Sequence, residues 1–320
     1  MRTEVIACWL GIAAVLGGLT VPLPSAYAQG LQVSGGLDGR LTTEREGRET
    51  GPFRPQLTGA FLNLRKVWSD EFGDRWIGVA QADFDDNLRR VRPYQLYLQY
   101  KGPLGKWNLR GGHYLLPFGL LATYDTERLV LQGLEKRSLG IRKDTGMQAF
   151  GRYGSWDYAV SLSDGLSDVR FADSRANPVL TARVAYVAGD AQLGFSALAR
   201  RVLLDSGPRP VDVRERRFAV DATKSFGPLT VRAEGVGGTD NGRARGGGVF
   251  LGDYALNPKL DLNTRYAFWN THDAGHGAGL GLTYQIRQGL FFRTAGTYQS
   301  RRDDHYGFTV QLYYEFSKLL

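Results

Sequence analysis

The chain has 320 residues, 40 Lys plus Arg against 32 Asp plus Glu, a formal charge of +8, and one cysteine. A single thiol excludes a disulfide framework and a thiolate metal cluster. The mean hydropathy of -0.29, with 42 glycines and 12% aromatic residues, excludes a bundle of membrane helices but not a membrane barrel, whose oily and wet residues alternate and cancel.

The N-terminus comes first. Met1-Arg2 is a basic start, residues 5–23 are mostly apolar, and Ala26-Tyr27-Ala28 forms a small-x-small cleavage site. This predicts a signal peptide over 1–28 and a mature chain over 29–320. A membrane anchor would need an unbroken apolar run, which Gly17-Gly18 and Pro22 interrupt. An acylated Cys8 would need a longer apolar segment before it. Cleavage after Ala28 removes Cys8 with the leader.

Period-2 alternation then recurs to the C-terminus. The clearest runs cover 31–41, 94–101, 156–163, 180–187, 193–200, 218–226, 260–269, 278–286, 290–299 and 306–316. Weaker runs cover 56–67, 75–85, 107–114, 146–153, 229–237 and 245–256. In the last clear run Phe308, Val310, Leu312, Tyr314 and Phe316 share one face, and Thr309, Gln311 and Glu315 the other. Such alternation is the pattern of strands with one oily and one wet face. Short gaps at 102–106, 188–190, 227–228, 257–259 and 287–289 alternate with longer, charged gaps at 42–54, 85–93, 115–145, 164–178, 201–216, 238–244, 270–276 and 300–305. The fold class this predicts is all-β: a transmembrane antiparallel β-barrel of about 16 strands with both termini on the short-turn side. A soluble sandwich or solenoid explains the strands. It does not explain a second face of Arg, Asp and Gln, which cannot form a sandwich core but can line water. Trp76, Trp107, Trp156 and Trp269 sit at run ends, as interfacial aromatics do.

The wet faces carry more cations than anions. Arg110, Arg152, Arg183, Arg232, Arg265 and Arg293 lie on them, and the longest gap adds Arg128, Lys136, Arg137, Arg142 and Lys143. Guanidinium groups stay charged and grip carboxylate or phosphate through two donors, and rings of such groups favour anions in pores. Cross-strand pairing with Asp38, Asp83, Asp157, Asp221, Glu234, Asp261 and Glu315 would instead brace the wall and leave little net field.

The stretch Gly112-His-Tyr-Leu-Leu-Pro117-Phe118-Gly119-Leu120 resembles the Gly-x-x-x-x-Pro-Phe-Gly segment of the phosphate-selective porin O and P family. Arg142-Lys143-Asp144-Thr145-Gly146-Met147-Gln148 is similar to its Arg-Asp-x-Gly-(aliphatic)-Gln strand opening, with Lys143 inserted. Trp156-Asp157-Tyr158 and Asp164-Gly165 resemble its Trp-x-Tyr and Asn/Asp-Gly endings. The likeness covers about 112–165; elsewhere it is one of architecture. It implies a bacterial outer-membrane porin, usually trimeric, with 115–145 as a third loop folded into the lumen, and it marks Pro117, Phe118, Gly119, Asp144 and Gly146 as motif residues. The partners expected are outer-membrane lipid, the barrel insertion machinery, small anionic or hydrophilic solutes with phosphate among them, and two further copies in a homotrimer.

Other chemistry is thin. Gly246-Gly247-Gly248 lacks a following Lys-Ser or Lys-Thr and reads as a bend. His272 and His276 share one loop without further ligands. No Ser–His arrangement suggests an enzyme, no cofactor is expected, and the spread of positive charge does not suit nucleic acid. The alternative to a porin is a barrel that sheathes a partner such as an electron-carrying cytochrome; it would leave the lumen blocked.

Overall fold

The computed structural model describes residues 27–46, 49–71, 73–85, 90–124, 129–131, 133–134, 139–165, 177–204, 211–271, 273–301 and 304–320. In chain order the strands are β1 (Tyr27–Glu46), a two-residue stub β2 (Glu49–Thr50), β3 (Arg54–Asp70), β4 (Gly73–Asp85), β5 (Arg90–Lys101), β6 (Asn108–Leu115), β7 (Lys143–Tyr153), β8 (Trp156–Ser163) and β9 (Val179–Ala188). They continue as β10 (Ala191–Leu204), β11 (Val211–Phe226), β12 (Leu229–Asp240), β13 (Arg243–Asn257), β14 (Leu260–Asn270), β15 (Ala274–Arg287), β16 (Leu290–Ser300) and β17 (Asp304–Leu319). With the stub set aside, sixteen strands pair antiparallel with their chain neighbours, and β1 also pairs with β17, from Gln32 opposite Leu319 to Glu46 opposite His305. The sheet is therefore a closed barrel without a free edge.

Alternation sorts the side chains. Phe308, Leu312, Tyr314 and Phe316 on β17, Leu280, Leu282, Tyr284 and Ile286 on β15, and Phe218 and Val220 on β11 all stand exposed on the outer surface. An apolar belt of this kind is stable against lipid. At its short-turn edge Trp76 packs on Tyr100 at 5.0 Å, Tyr100 on Trp107 at 5.4 Å, and Trp156 on Tyr186 at 5.0 Å. Trp269 departs from the expected girdle. It falls on the odd, inward parity of β14 and is 3% exposed inside the lumen.

The strands outrun the alternating runs, chiefly on the loop side. β11 starts at Val211 rather than near 218, and the expected loop over 238–244 shrinks to a hairpin turn at Asn241-Gly242, with Asn241 at a left-handed φ of 47°. Beyond the bilayer a strand needs no oily face, so its ladder continues where its alternation ends. Gly246-Gly247-Gly248 forms no bend: the three pair in unbroken register with Asn270, Trp269 and Phe268. Residues 1–26, with most of the expected leader and Cys8, lie outside the described residues; β1 begins two residues before Gln29. Residues 317–319 continue the closing strand, and Leu31 and Leu320 exchange backbone hydrogen bonds at 3.1 and 2.8 Å.

Two outcomes follow from this arrangement. Cysteines replacing Lys259, in a short turn, and Arg301, on the opposite rim, will react on opposite sides of the envelope, so an impermeant maleimide applied to intact cells labels only the Arg301 position. Leu312→Arg, in the middle of the closing strand's belt, will destabilise the inserted barrel by about 2–4 kcal/mol, seen as a fall in the denaturant midpoint of folding into lipid vesicles.

Candidate functional site: the loop-narrowed lumen

The long connection between β6 and β7 turns inward. Its described apolar residues Leu116, Phe118, Leu120, Leu134, Leu139 and Ile141 form one cluster with inward-facing Leu198, Ala219, Val236, Val249, Leu251, Ala267 and Trp269 of β10 to β14. The lumen wall is therefore not wet throughout, as alternation alone suggested. A patch of it is apolar, and the loop covers that patch.

Polar hooks fix the loop's first turn. Gly119 donates its N–H to Ser196 Oγ at 2.9 Å, Leu120 donates to Glu234 Oε1 at 3.0 Å, and Arg183 Nη1 donates to the Gly119 carbonyl at 3.0 Å. Gly119 sits at φ 60°, and an added Cβ would fall on Glu234 Oε1. No other residue suits that conformation and that contact together. Gly247 likewise leaves room for Leu139, whose Cδ1 would lie 2.7 Å from an added Cβ. Arg183 is itself held by Asp221 in a buried two-pronged ion pair, with Nη2 to Oδ1 at 2.7 Å. The Arg232 guanidinium lies 3.9 Å from the Tyr124 ring centre. Burial, and then Asp253, push the Tyr124 phenol up, to about 12, so it remains neutral and the contact is a cation–π one.

The motif residues do structural work here. Asp144 is fully buried; its Oδ1 accepts the Thr145 N–H at 3.0 Å and its Oδ2 the Gly165 N–H at 2.7 Å, which ties β7 to the turn after β8. An added Cβ at Gly146 would strike the Leu162 carbonyl. Pro117 lines the lumenal cavity and Phe118 anchors the loop.

Most lumenal arginines are paired. Arg40 bonds Asp38 at 2.7 Å, Arg200 bonds Glu215 at 2.5 Å, Arg217 and Arg245 share Asp240, Arg232 bonds Asp253, and Arg152, near the short-turn rim, bonds Asp157. Arg293 donates to Gln311 Oε1 at 3.1 Å and lies 4.8 Å from the Tyr313 ring. Arg265 faces the lumen from β14.

Arg110 differs. It donates to Gln99 Oε1 at 2.9 Å and lies between Tyr97 and Phe150, 4.4 and 4.7 Å from their ring centres. Among the described residues it has no carboxylate partner. It borders a cavity of about 520 Å³ under the loop, closed on one side by Leu116, Pro117, Ala122 and Thr123 and on the other by Gln95, Asn108 and Gln148. A second crevice, about 320 Å³, runs between Tyr124, Leu129 to Leu131 and the wall at Asp253, Asp261, Asn263 and Arg293.

Arg142 and Lys143 stand apart from Arg110. Arg142 donates to the Tyr94 hydroxyl at 2.6 Å, and Lys143 Nζ to the Pro93 carbonyl at 3.2 Å, so both clamp the loop's return to β5. Arg128, Lys136, Arg137 and His272 lie outside the described residues. His276 stacks edge-on against Tyr298 at 6.0 Å. The carboxylates at Glu215, Asp240 and Asp253 and the rings of Tyr97 and Phe150 were not anticipated. Strand parity could have placed all of them inward, but only register shows which arginine each one meets.

No protein-family model matches the chain, and no curated protein sequence does. Solved structures do match in fold. The anion-selective porin from Comamonas acidovorans is 11% identical with a TM-score of 0.69, covering 91% of this chain and 100% of that one. The outer membrane channel DcaP of Acinetobacter baumannii is 14% identical with a TM-score of 0.68, covering 89% and 97%. The trimer form of OmpT, an outer membrane protein of Vibrio cholerae, is 11% identical with a TM-score of 0.68, covering 90% and 100%. The shared architecture is that of outer-membrane porin barrels.

The buried pair beneath Gly119 holds loop and wall together. Asp221→Ala leaves the Arg183 guanidinium buried without its counter-ion and will cost about 3–5 kcal/mol. The expected readouts are a lower unfolding temperature in the heat-modifiability assay and new protease cleavage within 116–142.

Proposed function

We propose that this chain forms a passive, water-filled channel of the bacterial outer membrane for small hydrophilic solutes, with a preference for anions. The observation that carries the reading is Arg110, a guanidinium without a carboxylate partner among the described residues, beside the cavity that the inward loop narrows. Paired arginines contribute small local fields, because each charge has its opposite within hydrogen-bonding distance. An unpaired one beside low-dielectric walls acts on every passing ion. The neighbours described as an anion-selective porin and as an outer membrane channel support the same reading.

Guanidinium chemistry suits carboxylates and phosphates alike, and phosphate remains one solute within this proposal. A cleaved leader over 1–28 and assembly as a homotrimer complete it. The trimeric neighbour supports the latter.

The test is a reversal potential across a KCl gradient in planar bilayers. At 4 Å one unit charge changes an ion's energy by about 1 kcal/mol even at the dielectric constant of water, about a fivefold change in relative permeability at closest approach. Arg110→Gln will therefore move selectivity toward cations by up to about that factor, while Arg301→Gln on the loop rim will move it far less. The difference will shrink near 1 M salt, where the Debye length is about 3 Å. A cation-selective wild type, or equal shifts from the two variants, would defeat the anion reading. A folded barrel with no conductance would support the sheath instead.

A further inference from the structure

The second lumenal crevice holds chemistry that anion preference does not use. Asp261 of β14, Thr283 of β15 and Arg293 of β16 stand opposite one another in the ladder, and all three line this crevice of about 320 Å³. They form one row across three strands: a carboxylate, a hydroxyl and a guanidinium. Strands lie about 4.8 Å apart, so the backbones of the two charged residues are about 10 Å apart. Asp253, diagonal to Asp261 across β13 and β14, is held by Arg232 and by Asn263 Nδ2 at 2.7 Å. Asp261 is not held in this way: among the described residues its carboxylate has no hydrogen bond and no ion pair.

Arg293 does not pair with Asp261. Its Nη1 donates to Gln311, and its guanidinium lies 5.3 Å from the Phe291 ring centre and 4.8 Å from that of Tyr313. A guanidinium has five N–H groups, so an amide acceptor on one of them does not exhaust it. Between the two charges the wall is open, because Gly281, inward on β15, has no side chain to fill the crevice. Leu131 and Tyr124 of the loop close the far side, and Phe291 adds an apolar face. Asp261 is the second residue of β14 and Arg293 the fourth of β16, each just past a short turn. The row therefore stands at the short-turn end of the lumen, beside the loop.

We infer that this crevice is a binding subsite for a free α-amino acid in its zwitterionic form, its ammonium on Asp261, its carboxylate on Arg293 and its side chain against Tyr124, Leu131 and Phe291. Both polar contacts are charge-assisted hydrogen bonds, the strong kind. A simple anion gains Arg293 but is repelled by Asp261, and a simple cation meets the reverse. Only a solute that carries both charges a few Å apart is favoured at both ends of the row. The volume lies at the small end of ligand cavities, which run from about 300 to 1,000 Å³. With no net charge, such a solute is also not held back at Arg110. The inference rests on the water-filled lumen proposed above and adds a second solute class to it.

The test uses the full chain folded in detergent, with binding followed by saturation-transfer NMR at neutral pH. The probes are L-leucine, 4-methylpentanoate, which is leucine without its ammonium, and 3-methylbutylamine, which is leucine without its carboxylate. Wild type is expected to bind leucine saturably and each single-charge analogue about fivefold or more weakly, the effect of one unit charge at about 4 Å. Asp261→Asn keeps the shape of the side chain and removes its charge. It is expected to weaken leucine by about the same factor and to strengthen 4-methylpentanoate, because the repulsion is gone. Asp190→Asn, the same change at an exposed turn residue, should match wild type. No saturable leucine binding overturns the site, as does equal binding of leucine and either analogue, and this comparison needs no variant. An Asp261→Asn barrel with normal heat-modifiable mobility that binds leucine like wild type, or that loses leucine and 4-methylpentanoate alike, overturns the role of Asp261. The two readings fail separately. A wild type that conducts with anion preference but does not bind leucine through Asp261 loses only the subsite. One that binds leucine through Asp261 but never conducts loses only the channel.

Discussion

Closure of the backbone hydrogen-bond ladder is the constraint on which everything else rests. In hydrocarbon an unpaired N–H or C=O costs several kcal/mol and has no water to turn to, so a sheet that crosses a bilayer must meet itself. Here β17 returns to β1 along fifteen paired positions, and the C-terminal Leu320 completes the seam through Leu31. Once the sheet is closed, side-chain direction follows without further choice: every second residue faces lipid and the others face the lumen. The oily belt, the charged interior and the short turns at one rim are consequences of that closure.

Closure creates a second problem, which the loop solves. A barrel of sixteen strands encloses more space than its inward side chains can fill. The inner wall of β10 to β14 nevertheless carries Leu198, Val236, Val249, Leu251 and Trp269. Left bare, these would be apolar surface against water. Leu116, Phe118, Leu120, Leu134, Leu139 and Ile141 of the loop bring a matching apolar face, and the gain from its burial, roughly 25 cal/mol per Å², offsets the entropy of ordering these residues. Burial alone does not set orientation. The hooks at Gly119 and Leu120 do, because each places a backbone group on a specific wall atom.

This division explains what could be read from the sequence. Lipid enforces alternation, so every long strand announced itself, and closure and strand number were legible; the inward course of the long gap came only from the resemblance around Pro117-Phe118-Gly119. Strand ends were not. In Arg214-Glu215-Arg216-Arg217 all four residues are charged, so no oily face marks the strand, although its ladder continues. Trp269 was placed on the wrong side because a ring at a strand end suggests an interface; its parity, odd like Ala267, was the better guide. The excess of inward arginine was legible, but its neutralisation was not. Arg217 meets Asp240 only once β11 and β12 are in register, and a single sequence carries no direct record of register.

The pairing of the lumenal charges is then the point at which stability and function separate. An arginine with a carboxylate at hydrogen-bonding distance braces neighbouring strands and leaves a dipole whose field falls away over a few Å. An arginine stacked between rings is held almost as firmly but keeps its full charge, because Tyr97 and Phe150 attract the guanidinium through their ring faces without cancelling it. Gln99 adds a neutral hydrogen bond. Aromatic and amide neighbours therefore fix Arg110 in place at little cost to its field, which a carboxylate could not do. The cation count of the lumen is a weak guide to selectivity for the same reason: what an ion meets is decided by which guanidinium groups are held by neutral partners, and where along the lumen they stand.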